Sequence, residues 1–165
     1  MINSGSKKFP DEVLAVLSVL DAKELDYQVR AFEAPAHHAR EAAALLDCPI
    51  GAIIKSLMFK TRGHDKYILV LVSGQNRADR KKLSKIIGEQ VVKAQPDEVL
   101  IETGYPIGAV PPFAVDYNFQ VIIDKELMSF QNLWASAGSG HILVSFESSN
   151  LKDLTGGWIF DIKEI

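Results

Sequence analysis

A lysine, Lys55, stands among Ile53, Ile54, Leu57 and Met58 in the mainly apolar run Ile53-Ile54-Lys55-Ser56-Leu57-Met58. Its commonest fate there is to snorkel, laying its stem along apolar surface and its charge in water. The alternative is a partly desolvated ammonium aimed into a pocket, where it can bind an anion or steady negative charge that develops in a reaction. Two glycine-bearing segments offer complementary chemistry. Thr103-Gly104-Tyr105-Pro106-Ile107-Gly108-Ala109-Val110-Pro111-Pro112 reads either as an ordinary tight loop or as a stiffened one. In the second case glycines let a ligand approach the backbone, and the prolines keep the amides aimed. A Cβ at Gly108 is then expected to intrude on a bound carbonyl. Ala137-Gly138-Ser139-Gly140-His141 is a small-residue turn ending in a histidine, which is structural when alone and can line a site beside such a turn.

Charge supplies a fourth feature. Residues 1–93 carry 15 Lys/Arg against 11 Asp/Glu, whereas residues 94–165 carry 3 against 10. The densest basic stretch is Arg77-Ala78-Asp79-Arg80-Lys81-Lys82-Leu83-Ser84-Lys85. It is either a solvated helix face or a surface that neutralises phosphates and releases their counterions. Other chemistry is missing from the string. The chain has no GxxxxGK[ST] phosphate loop, no HExxH zinc helix and no GxSxG nucleophile elbow. Its one cysteine, Cys48, precedes a proline at a helix end and reads better as a small hydrophobe than as a nucleophile.

The elements that must position these groups can be read from periodicity. A helix is expected from about Pro10 to Leu25, with Asp11 and Glu12 in its first turn and Val13, Val16, Leu17 and Leu20 as its inner stripe. Residues 27–32 alternate like a strand. His37 and His38 then lead into an alanine-rich helix, Arg40 to Leu46. Ile53–Lys60 reads as a strand, and Tyr67–Val72 as a central strand buried on both faces. Asp79 is placed to cap a basic helix ending near Ile87. Val91–Lys93, Phe113–Tyr117, Gln120–Ile123, Leu133–Ser136, His141–Phe146 and Trp158–Ile162 are expected strands. Helices are expected near Pro96 and over Asn150–Leu154. Short strands interspersed with helices, without a regular βαβ beat, predict an α+β fold with a mixed, barrel-like sheet flanked by helices.

The 165 residues are 47% hydrophobic and 24% charged, with a net charge of −3. Those values suit a single domain over residues 1–165 and exclude disorder as the dominant state. No apolar stretch approaches the ~20 residues that a membrane-spanning helix needs. The N-terminal Met1–Lys8 lacks the apolar centre of a signal peptide, so the expected compartment is the cytoplasm.

Taken together and in order, Lys55-Ser56-Leu57-Met58-Phe59-Lys60, the Val72–Leu83 turn, Thr103–Pro112, Val121-Ile122-Ile123-Asp124 and Ala137–Ser139 resemble the YbaK/ProX family. That family comprises free-standing aminoacyl-tRNA deacylases and the related editing domain of bacterial prolyl-tRNA synthetases. The resemblance covers about residues 27 to 163. It implies a barrel-like mixed sheet and hydrolysis, without metal or other cofactor, of the ester joining a wrong small amino acid to transfer RNA, with proline tRNA as the expected carrier. It implies that Lys55 is the signature lysine and that Gly108 through Pro112 form the G-x-x-x-P loop that holds the aminoacyl group, with Tyr105 beside it. Asp124, Gly138 and Ser139 match further pocket positions, and His141 resembles a histidine of the synthetase editing domains. Lys55, Gly108 and Gly138 are thus the expected catalytic group. The residue after the lysine is Ser56, where some alanine-specific members carry asparagine and the cysteine-specific branch carries threonine.

An aminoacyl ester is already activated, so positioning of a water or ribose hydroxyl and stabilisation of the oxyanion suffice for rate, without a nucleophilic side chain. Arg77, Arg80, Lys81, Lys82 and Lys85 would then meet the acceptor-stem backbone. The expected partners are aminoacyl-tRNA and, beyond it, a synthetase (prolyl) or an elongation factor, with no DNA and no membrane. Two other readings stay open on the residues alone. One is a non-catalytic module that binds a small ligand or tRNA through the same pocket; the other is an interaction domain whose pocket is vestigial.

Overall fold

The computed structural model describes residues 9–165, and the polar Met1–Lys8 stretch lies outside them. In chain order the elements are α1 (Asp11–Ala22), β1 (Gln28–Ala31), α2 (Ala39–Leu46), β2 (Ile54–Thr61), β3 (Tyr67–Ser73), α3 (Arg80–Ile87), β4 (Val91–Lys93), α4 (Pro96–Thr103), β5 (Gln120–Asp124), β6 (Asn132–Ser139), β7 (Ile142–Glu147), α5 (Leu151–Thr155) and β8 (Trp158–Phe160). They form two sheets. One is three-stranded in the order β1-β7-β6, antiparallel throughout. The other has five strands in the order β4-β2-β3-β5-β8 and is mixed: β2 is antiparallel to β3 and β4, whereas β5 is parallel to β3 and β8.

The α+β class and the mixed sheet agree with the sequence reading; the barrel does not. The two sheets meet at one parallel bridge, Ile53 to Trp134, and do not close. Closure would require hydrogen bonds continuing around between the sheets. Val13, Val16, Leu17 and Leu20 of α1 share one core with Tyr105, Val110, Phe113 and residues of both sheets. A second difference lies at Phe113–Tyr117, which is a loop and not a strand. Pro111 and Pro112 have no N–H to offer a ladder, and the segment satisfies itself locally. The Tyr117 hydroxyl donates to the Pro111 carbonyl at 2.9 Å, and Phe113 packs edge-on against Phe146 at 5.4 Å between centroids.

Strand β3 explains why its sequence is an unbroken apolar run. Leu69 and Leu71 point into the core shared with α1, while Ile68, Val70 and Val72 point to the opposite face, against Leu83 of α3 and Ile162. Burial of both faces removes any need for alternation. Helix α3 begins as expected, with the Asp79 carboxylate accepting the N–H groups of Lys81 at 2.9 Å and Lys82 at 3.3 Å. Helix α4 is pinned by Glu98. Its carboxylate accepts from the Lys60 ammonium at 2.6 Å, the Tyr67 hydroxyl at 2.8 Å and the Gln95 N–H at 2.8 Å. These donors, Lys60 foremost, hold the carboxyl down at about 2, and the same bond pushes the Tyr67 phenol up to about 12.

The segment after β8 doubles back and braces the turn ahead of α3. Ala78 and Lys163 form an antiparallel bridge, the Asp79 N–H donates to Ile162 at 2.7 Å, and the Glu164 N–H donates to Arg77 at 2.8 Å. The Lys163 ammonium bonds Glu126, which also accepts from Gln75 at 3.0 Å. Among the described residues no helix is long and apolar enough to cross a membrane.

Candidate functional site

A cleft of about 270 Å³ opens where β2, β4 and the Ala36–Ala39 segment converge, with Val99 of α4, Ile107–Val110, Ser136 and Leu143 completing its wall. This is just below the ~300–1,000 Å³ typical of drug-sized ligands, so it suits a small group. Its polar side chains are His37, His38, Lys55, Ser56, Lys93 and Ser136, and among the described residues no carboxylate lines it. The remaining wall is aliphatic, from Ile53, Ile54, Leu57, Met58, Val99, Val110 and Leu143 among others.

Lys55 is held by what surrounds it. On β2 it stands opposite Val72 of β3, and its ammonium donates to the Asn76 carbonyl in the turn beyond β3. That turn is in turn fixed by Asp124, which is only 1% exposed. One oxygen of its carboxylate accepts the Ser73 N–H at 3.0 Å and the Asn76 side-chain amide at 2.9 Å; the other accepts the Glu126 N–H at 3.0 Å. Burial lowers the Lys55 pKa below that of an ordinary lysine, and the charges of Arg77 and Lys93 lower it further, against an upward pull from Asp124. A half-buried cation with a softened proton and an apolar cavity before it can bind an anion or hydrogen-bond a developing oxyanion.

Of the residues expected at the site, the structure places Lys55 and Gly108 on the cleft wall. Gly108 is the third residue of a turn closed by the Ala109 N–H on the Pro106 carbonyl at 3.0 Å, with φ +88°. No atom of the described residues lies within 4 Å of where its Cβ would stand. The positive φ by itself requires the glycine, whether or not a bound acyl group also comes close. Gly108→Ala should reshape the Ile107–Val110 wall at a cost of about 1–2 kcal/mol. It should raise KM for every substrate by a similar factor, measured across several acyl groups; a loss that grows with acyl size would restore the steric explanation.

The other expected residues stand behind that wall. Tyr105 is buried, and its hydroxyl donates to the Glu12 carbonyl of α1 at 3.4 Å. Pro111 and Pro112 are also buried, outside the cleft lining. Gly138, at φ +100°, sits in the irregular stretch where the β6–β7 register shifts between Ser136 and Ser139. A Cβ there would come within 2.9 Å of the Tyr105 ring and 3.0 Å of the Glu12 carbonyl, so close packing on α1 demands the glycine. The Gly138 N–H is spent on the Ser136 hydroxyl at 3.2 Å, and it is Ser136 that reaches the cleft. Ser139 and His141 form a clasp at the end of β1. The Ser139 hydroxyl accepts the His141 N–H at 3.1 Å, and the His141 ring nitrogen Nδ1 donates to the Phe32 carbonyl at 3.2 Å.

The basic run divides. Arg80, Lys81 and Lys85 are exposed on α3, and Arg77 is exposed with a long contact to Glu164 at 4.0 Å. Lys82 is instead tied to the Lys163 carbonyl at 2.8 Å and to Asp161 at 3.4 Å, as part of the brace. Lys93, His37, His38 and Ser136 are cleft residues that sequence reasoning did not assign. Lys93 ends a short strand, and only the pairing of β4 with β2, Lys93 opposite Phe59, carries it to Lys55.

Comparison with known proteins agrees with this architecture. A family model described as the aminoacyl-tRNA editing domain matches residues 33–154. A Bacillus subtilis protein named as the uncharacterized protein YwhH is 30% identical over 127 residues, which are 77% of this chain and 80% of that protein. The proline–tRNA ligase of Thermosipho melanesiensis is 36% identical over 93 residues, covering 56% of this chain but only 16% of the ligase. A crystal structure described as that of a candidate trans-editing enzyme for prolyl tRNA synthetase superposes with a TM-score of 0.86 at 30% identity, over 96% of this chain and 100% of that one.

Proposed function

Because the chain belongs to the aminoacyl-tRNA editing domain family, of the YbaK type, we propose that it is a trans-editing deacylase hydrolysing the ester of a mischarged tRNA that carries a small amino acid, with proline tRNA as the carrier. The observation that carries this reading is Lys55, a half-buried cation at the wall of a small, apolar, carboxylate-free cleft. The terminal acyl group enters the cleft and its carbonyl is presented to Lys55. Water adds to that carbonyl, the tetrahedral oxyanion is balanced by the ammonium, and the ribose oxygen leaves with the proton. The Gly108 N–H is a second candidate donor to the oxyanion, since no bond to it is seen among the described residues. Gly138 acts through Ser136, which it orients, while Tyr105, Pro111 and Pro112 hold the loop, and Ser139 and His141 secure the hairpin behind it. The wall sorts by volume, where one methylene is worth about 1–3 kcal/mol. Cytoplasmic action beside a prolyl-tRNA synthetase or an elongation factor belongs to the same proposal.

The test is a panel of tRNAs charged with alanine, cysteine, serine and proline. Release of one or more small amino acids, with proline spared, supports the reading. Retention of every tRNA without release would make the protein a binding module, and neglect of all of them an interaction domain.

The exposed part of the basic run is assigned to the acceptor-stem backbone. Reversal of Arg80, Lys81 and Lys85 to Glu should weaken tRNA binding and reduce the slope of log affinity against log salt by roughly 0.9 for each phosphate no longer neutralised. Turnover of a minimal aminoacyl-adenosine should be unchanged. Unaltered binding of full-length tRNA at low salt would make α3 a solvated face.

A further inference from the structure

The charges around the cleft point to a substrate class wider than aminoacyl esters. Every charged side chain on its wall is basic or can only become so: Lys55 on β2, Lys93 on β4, and His37 and His38 ahead of α2. Arg77, in the turn ahead of α3, adds its field at Lys55. The one acidic group felt there, Asp124 on β5, is buried and already accepts hydrogen bonds from Ser73, Asn76 and Glu126. A site that recognised an ammonium would place a carboxylate against it, and among the described residues this wall has none.

In an aminoacyl ester the α-nitrogen is only two bonds from the carbonyl carbon. If that carbonyl is presented to Lys55, the nitrogen lies in the same positive field. We infer that the cleft takes esters whose α-substituent is uncharged, so that α-hydroxyacyl esters of tRNA are substrates in their own right and aminoacyl esters react as free amines. Hydrolysis of such an ester needs no further reagent. Water forms the new bond to the carbonyl carbon, the bond to the ribose oxygen breaks, and that oxygen takes the proton, releasing a hydroxy acid and free tRNA.

This inference rests on the deacylase reading and can fail independently of it. The probe is one tRNA acylated either with alanine or with lactate, its near-isostere with a hydroxyl in place of the amine. Rates are measured from pH 6 to pH 8 and divided by the uncatalysed rate of each ester. An α-amino group titrates near the upper end of this range, so its neutral fraction falls about tenfold per pH unit below its pKa. The lactyl ester should be accelerated at least as strongly as the alanyl ester at pH 6. The alanyl-to-lactyl ratio should then climb by tenfold or more toward pH 8. Lys93→Glu, which puts a carboxylate on the wall, should raise that ratio at pH 6. Hydrolysis of the alanyl ester with the lactyl ester ignored and the profile flat would overturn the inference and leave the deacylase reading standing. Hydrolysis of neither would overturn the inference, and with the seryl and cysteinyl esters also untouched it would remove the deacylase reading itself.

Discussion

Lys55→Ala is expected to lower kcat/KM for deacylation by roughly thirty- to a thousand-fold, the loss of about 2–4 kcal/mol of transition-state stabilisation. The loss should fall mainly on kcat, because an oxyanion-directed ammonium acts most strongly after the carbonyl has been attacked. Stability should change little. Burial, with Arg77 and Lys93, depresses the lysine's pKa, so folding works against its charge at neutral pH, but alanine also gives up the bond to the Asn76 carbonyl. The variant should therefore melt within a few degrees of the wild type. A folded Lys55→Ala protein with near-normal single-turnover rates would exclude Lys55 from the chemistry.

The second large effect is expected at Asp124, which does not line the cleft. Truncation to alanine leaves the Ser73 N–H, the Asn76 amide and the Glu126 N–H without their acceptor in a site that is 1% exposed. Each orphaned donor costs about 1–3 kcal/mol, less whatever an entering water recovers, so a total near 3–5 kcal/mol is expected. For a chain of this size that corresponds to a fall in Tm of about 8–15 °C. Asp124→Asn should lie in between, since it keeps the volume but turns one acceptor into a donor. Both variants should also lose activity well below their melting temperatures, because Asn76, the residue that receives the Lys55 ammonium, is no longer anchored. A melting temperature within about two degrees of wild type would show that the turn holds itself.

These two residues mark where sequence reading succeeds and where it stops. Lys55 was legible because a cation among Ile53, Ile54, Leu57 and Met58 violates the local apolar pattern, and such violations are seen without knowing the fold. Asp79 was legible for the same reason: a helix cap is written within a few residues. Strand β3 announced its double burial by composition alone. The role of Asp124 was not legible, because its three partners come from a turn some fifty residues earlier and from the residue two positions on, and periodicity does not report such a junction. Lys93 reaches the cleft only through the β4–β2 pairing. Gly138 was read as a pocket position; its packing against Tyr105 and the Glu12 carbonyl was not legible, because both come from distant elements. The barrel failed because strand patterns record which faces are apolar and say nothing of whether the sheet edges hydrogen-bond to each other.

The brace formed by residues 161–164 bears on the order in which the chain is made. Every residue lining the cleft lies between Ala36 and Leu143, so a nascent chain that has emerged past β7 already contains the whole cavity wall. The contacts of Ile162, Lys163 and Glu164 with Arg77, Ala78 and Asp79 can form only after the last residues have emerged, and β8 pairs in parallel with β5 after a crossover through α5. Non-local closures of this kind are slow relative to local helix and hairpin formation. A ribosome-tethered intermediate halted after β7 should thus hold a formed but slack cavity, its Lys55-receiving turn held by Asp124 but not yet braced at Arg77–Asp79. Full competence then waits for the last segment to emerge and dock.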